Sequence, residues 1–257
     1  MSLMTNNPPV STIDDVLDQL TDIIDRSHRR KSRLGFFSAL YRRVTIAVKQ
    51  GIADGRFEDG ERMAQLDVRF ANRYLEAYHA YFTGHRPTES WRVAFEAAAR
   101  PKYIILQHLL LGINAHINLD LGIAAAQTAP GDSLPALEND FNAINKILAS
   151  LVDEVQDEIA SVSPAIKWLD RTGGRTDEEI VNFSMQVARR EAWNFAQHLA
   201  LLNKTQQADA IKQRDRETVA IARLVTDPGW LAKIGLWLVR RRESQDVPQI
   251  IDVLSAD

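Results

Sequence analysis

From Pro101 to about Gln127 the chain is apolar on every side of a helix, a pattern that places a helix either in a membrane or at the centre of a bundle. Its longest uncharged run, Tyr103 to Leu119, is 17 residues and contains Gln107, His108, Asn114, His116 and Asn118, which makes a poor lipid-facing span. We therefore expect no transmembrane segment, and other helices around this one.

The rest of the chain provides them. Ser11 or Thr12 can cap a helix whose apolar positions Ile13, Val16, Leu17, Leu20, Ile23 and Ile24 recur at three and four. The basic run Arg26 to Arg33 reads as a solvated linker that ends it. Helices follow over about Phe36–Ile52 and Glu61–Phe82, joined by so short a loop that they must be antiparallel neighbours. A short helix is expected from Thr88 to Ala99, one from Ser133 through Ile159, and one from the Thr176/Glu179 capping box to about Asn203. Further helical patterns cover about Gln206–Val225, Trp230–Arg241 and Pro248–Leu254. No period-2 strand and no repeat of fixed period occurs. The expectation is an all-α fold: residues 1–10 a leader, and 11–257 one bundle of eight to ten helices around a buried central helix at about 101–127.

Composition removes whole classes of function. Thirty-one Lys and Arg against 34 Asp and Glu give a net charge of −3, so no global field attracts nucleic acid or an anionic membrane. The absence of cysteine excludes disulfides, thiolate zinc sites and cysteine nucleophiles. The first 30 residues hold Asp14, Asp15, Asp18, Asp22 and Asp25 where a secretory signal needs an apolar stretch, so the chain reads as cytoplasmic. No G-x-G-x-x-G, H-E-x-x-H or G-x-S-x-G motif is present. Gly55 and Gly60 have phosphate-loop spacing, but Glu61 stands where lysine is needed. Asp54, Glu58 and Asp59 lack the alternation of a calcium loop.

The polar residues inside apolar stripes carry the most information. Asp67 falls among Met63, Leu66, Phe70 and Tyr74 on the third helix, so it must be paired, hydrogen-bonded or bound to a cation. On the central helix Asn114 and Asn118 share one side, His116 and Asp120 another at i and i+4, and His108 lies between. An Asp four residues from a His can share a metal ion with it or hold its tautomer, and a buried His–Asp pair is also an ordinary way to satisfy core polarity. Glu191 and His198 fall in the stripe Ile180, Phe183, Val187, Phe195 and Leu202, where Arg189 or Arg190 could neutralise Glu191. Tyr74, Tyr78 and Tyr81 read as packing. Trp230 to Leu238 followed by Arg240, Arg241 and Arg242 has the pattern of an interfacial helix, although burial in the core or a homodimer seam through the C-terminal helices is the more ordinary reading.

The stretches LDVRFANRYL, Leu66 to Leu75, and HLLLGINAHINLDLG, His108 to Gly122, resemble a bacterial and fungal family of all-helical proteins of unassigned function, over about Phe36 to Leu202. Gly112, His116 and Asp120 are also similar to the G-x-x-x-H-x-x-x-D helix of zinc-dependent phospholipase C. That resemblance implies His116 and Asp120 as zinc ligands and Asp67 as a third, although the chain has six histidines in all.

Three functions are compatible with these residues. In a metal-dependent hydrolase, Asp67, His116 and Asp120 hold a divalent ion, zinc or iron, and His108 or Glu191 is the general base. A di-metal oxidoreductase would use Glu191 and His198, although the Glu-x-x-His signature is absent. A helical binding protein for a lipid or other apolar molecule would use the inward polar groups to fix a head group, and predicts an apolar cavity above ~300 Å³ beside His108. Asn114, Asn118 and His198 are further candidate site residues, and a purely structural reading makes the inward polar groups a satisfied hydrogen-bond network that specifies the core.

Overall fold

Why the central helix is buried follows from what surrounds it. The computed structural model describes residues 9–164 and 185–256, and among them every regular element is helical. In chain order these are α1 (Ile13–Arg29), α2 (Leu34–Ala53), α3 (Gly60–Thr83), α4 (Glu89–Ala98), α5 (Ile105–Ile113), a π-helical segment (Asn114–Leu121), α6 (Gly122–Thr128), a 3₁₀ segment (Gly131–Leu137), α7 (Glu138–Val162), α8 (Met185–Ala200), α9 (Lys204–Thr226), α10 (Trp230–Arg242) and α11 (Val247–Leu254). The continuous run from α5 through the π segment to α6 is packed against α2, α3, α4, α8 and α9. It is long and apolar enough to cross a membrane, and 83% of its most apolar window is buried inside the bundle.

The caps explain most boundaries. Thr12 and Asp15 form a reciprocal capping box on α1, Asp59 caps α3, and Gly84 closes α3 in the left-handed conformation at φ 80°. Three further starts are fixed from a distance by buried acids. Asp215 of α9 accepts from the Glu89 and Ser90 amides at the head of α4, and Glu243 accepts from the Ile105 amide at the head of α5. Asp140 of α7 accepts from the Glu58 and Asp59 amides and from Arg62. The loop acids that might have suggested calcium are thus engaged: Asp59 as a cap, Asp54 with Gln50 and Arg56, Glu58 with Asn139.

Three expectations need correction. The basic run Arg26 to Arg33 is not a linker throughout: α1 continues to Arg29, because cations in a last turn complement its exposed carbonyls. The central helix starts at Ile105 rather than Pro101, since the carboxylate that caps it comes from Glu243, 138 residues away. It is also not a plain α-helix, because residues 114–121 wind as a π-helix. The Thr176/Glu179 box and the Gly173–Gly174 turn lie outside the described residues.

Candidate functional site

The π segment is held from both sides and flanked by two glycines that permit close approach. A Cβ on Gly112 would lie 2.5 Å from the Phe37 ring, and one on Gly122 would lie 2.7 Å from the Ala192 carbonyl oxygen. On the α9 side, Asn118 donates to Asn114 Oδ1, Asn114 donates to the Thr218 carbonyl, and Arg214 donates to the Asn118 carbonyl at 2.7 Å. Asn114 and Asn118 are therefore consumed in attaching α9. Long π-helical stretches are rare and occur mostly at functional sites, because they trade regular backbone bonding for side-chain placement.

On its other side the segment presents His116 to an apolar cavity of about 230 Å³. Leu40, Val44 and Val48 of α2, Leu66 and Phe70 of α3, Leu109 and Ile113 of α5, and Ile144 and Leu148 of α7 supply most of its wall. Among the described residues, four polar side chains interrupt that wall: Tyr41, Asp67, His116 and Arg189. The cavity lies against His116 and Asp67, not beside His108, and is smaller than the sequence reading required.

Among the described residues, three of the four lack hydrogen-bond partners at buried atoms: the Tyr41 hydroxyl, Asp67 Oδ2 and both ring nitrogens of His116. The Thr45 hydroxyl near Tyr41 is turned to the Tyr41 carbonyl instead, at 3.0 Å. His116 stacks on Phe70 with ring centroids 3.5 Å apart and meets Tyr41 edge-on at 4.4 Å. Burial pushes its pKa down, with Asp120 opposing, so the imidazole is held toward the neutral form. Burial raises Asp67 to about 7, which leaves this carboxyl able to donate or to accept near neutral pH. Tyr41 is pushed well above its ordinary value by burial and then by the charges of Asp67 and Asp120.

Arg189 is the fourth. Its guanidinium donates to the Phe141 carbonyl and to Asn145 Oδ1 at 2.7 Å and stacks on the Phe141 ring, with no carboxylate partner among the described residues. Desolvation alone lowers it to about 10, so it remains a cation. Five carboxylates are buried among the described residues, and four of them are satisfied by amides, an indole or arginines. Asp67 alone has an orphaned oxygen.

The residues expected to form a metal centre are not gathered. Asp120 accepts from Trp91 Nε1 at 2.7 Å and from Arg73 Nε at 3.1 Å, and His116 Nδ1 stands 3.9 Å away, beyond hydrogen-bond reach. Among the described residues no three His, Asp or Glu side chains come together in a group able to hold a metal ion. His108 lies elsewhere, edge-on to Phe36 and Tyr103, where burial and the nearby Arg33 and Arg240 push it down to about 3. A base so weak abstracts protons poorly near neutral pH.

Glu191 and His198 do not face inward; both are exposed, and among the described residues Glu191 meets Asn194, at 3.3 Å. The buried face of α8 is Ala188, Arg189, Ala192, Trp193, Phe195, Ala196 and Leu199, with the Ala192 backbone and the Phe195 ring against Gly122, so Phe195 of the expected stripe is buried while Glu191 and His198 are not. Val187, which marked the expected stripe, is 45% exposed. Sequence does not mark Tyr41 as a site residue, and it offers Arg189 only as a counter-ion for Glu191, a role the structure does not give it. A signal existed for Arg189, which keeps helical register with Ala192, Ala196 and Leu199. Tyr41 keeps register with Phe37, Thr45 and Val48, where an aromatic reads only as packing.

A family model described as "Family of unknown function (DUF5995)" matches residues 13–228. No curated protein and no solved structure matches the chain.

Proposed function

We propose, for a chain that belongs to this family of unknown function, that it binds a small apolar molecule bearing one neutral hydrogen-bonding group in the cavity between α2, α3, α7 and the π segment. One observation carries this reading: three helical segments each turn into the same apolar wall a buried polar group that has no hydrogen-bond partner among the described residues. An orphaned buried polar group costs about 1–3 kcal/mol, so three together would be lost to apolar substitution if stability alone mattered. A ligand hydroxyl or carbonyl would satisfy them, with Asp67 donating or accepting and Tyr41 donating. An anionic head group suits the site less well, since Asp67 is itself acidic and Arg189 has already engaged Phe141 and Asn145. The volume exceeds the ~150 Å³ that admits benzene and falls below the ~300 Å³ of a drug-sized pocket, which favours a compact ligand.

The test is displacement of N-phenyl-1-naphthylamine fluorescence by a series of medium-chain alcohols, ketones and carboxylates. Binding by intact protein, loss in Val48→Phe, which fills the cavity, and weakening at least tenfold in Asp67→Leu are expected. A Val48→Phe protein that is more stable yet binds as before would overturn the reading. So would a stoichiometric zinc or iron ion that Asp67→Asn removes, which would restore the metal-dependent alternatives.

A further inference from the structure

Helix α10 turns two tryptophans to solvent. Trp230 is 70% exposed and Trp237 55%, and with Ile234 and Leu238 they form one face at helical spacing. That face cannot rotate inward, because the opposite one is anchored: Leu236 and Val239 pack with Ile104 and Leu106, and Arg240 donates to the Pro101 carbonyl. The core position open to these residues from sequence is therefore not the one they occupy.

The charge on the same helix is one-sided. Lys233, Arg240, Arg241 and Arg242 share α10 with no acidic residue. Lys233 pairs with Asp227 and Arg240 with Glu243, whereas Arg241 and Arg242 have no acidic partner among the described residues. Arg241 lies in register with the apolar face and stacks on Trp237 at 4.8 Å. We infer that α10 docks the protein on an anionic lipid surface, with Trp230, Ile234, Trp237 and Leu238 entering the headgroup boundary and Arg241 and Arg242 meeting phosphates. Exposed tryptophans with cations on one short amphipathic helix have the chemistry of that boundary, where the indole is apolar in body and polar at one edge. A second copy fits less well, because a two-fold pairing of this face would bury Arg241 against a helix that has no acidic residue to meet it.

The inference is independent of the cavity. It is tested by sedimenting the full chain with vesicles of phosphatidylcholine alone and of phosphatidylcholine with phosphatidylglycerol, with brominated phosphatidylcholine as a quencher of tryptophan emission. Binding to the anionic vesicles, weakening with salt, and quenching are expected. Arg241→Gln with Arg242→Gln should lower partitioning about 30-fold, at roughly 1 kcal/mol per basic residue. Trp230→Ser with Trp237→Ser should abolish it, both double variants keeping the wild-type circular dichroism. Absence of binding to anionic vesicles would overturn the inference, as would equal binding by the variants. A concentration-dependent dimer that the tryptophan variant dissolves would assign the face to a second copy instead.

Discussion

Asp67 bears the energetic cost of the cavity. Its pKa of about 7 in the folded chain lies above the ordinary carboxyl value, so the native state binds the proton more tightly than the unfolded one. The contribution is fully favourable below about pH 4 and is lost as the pH rises through 7. Asp67→Asn, which does not titrate, should therefore gain on wild type by a few kcal/mol between pH 4 and 8 in urea denaturation. Equal pH slopes for the two proteins would show that the side chain has a partner in solution. Asp120 presents the opposite case, a buried acid held by Trp91 and Arg73. Arg73→Met removes the cation and should cost about 3 kcal/mol, the penalty for leaving a buried charge uncompensated.

At the level of elements, the π segment is the feature on which the site depends. Gly122 lets α8 approach until the Ala192 carbonyl occupies the space of a side chain. Alanine normally favours a helix by about 1 kcal/mol over glycine, yet Gly122→Ala should lower stability by about 1–3 kcal/mol through overpacking. A rise in melting temperature would mean that α8 is not seated there. The acid caps make a second prediction. Asp215→Ala should cost about 1–2 kcal/mol and raise amide exchange at Glu89 and Ser90, while the more distant helices keep their protection.

For the whole molecule, a ligand that binds only the folded state should raise its stability by mass action, by about 2.7 kcal/mol at one hundred times the dissociation constant. A medium-chain alcohol should therefore raise the melting temperature of wild type and leave Val48→Phe unchanged. The net charge of −3 says little about surfaces, because a bundle segregates its residues: α10 alone has four cations and no acid. Repulsion between like patches and attraction to lipid are set by this local arrangement.

Periodicity in the sequence determined the all-helical class, most helix boundaries and the burial of the segment around His116, since apolar spacing at three and four has few other solutions. It also marked Asp67 as a carboxylate in an apolar stripe, because that depends only on its neighbours along one helix. What Asp67 and its companions face was decided by tertiary structure. Asp120 finds Arg73 and Trp91, Asp67 finds an apolar wall, and no spacing along α3 or the π segment distinguishes the two. The error at Glu191 has the same origin: where α8 approaches Gly122 its buried face runs through Ala188, Ala192 and Ala196, small residues that a stripe of large side chains does not mark, and Glu191 turns to solvent with Val187. Hydrogen-bond partners and cavities come from residues distant in the chain, and only folding brings them together.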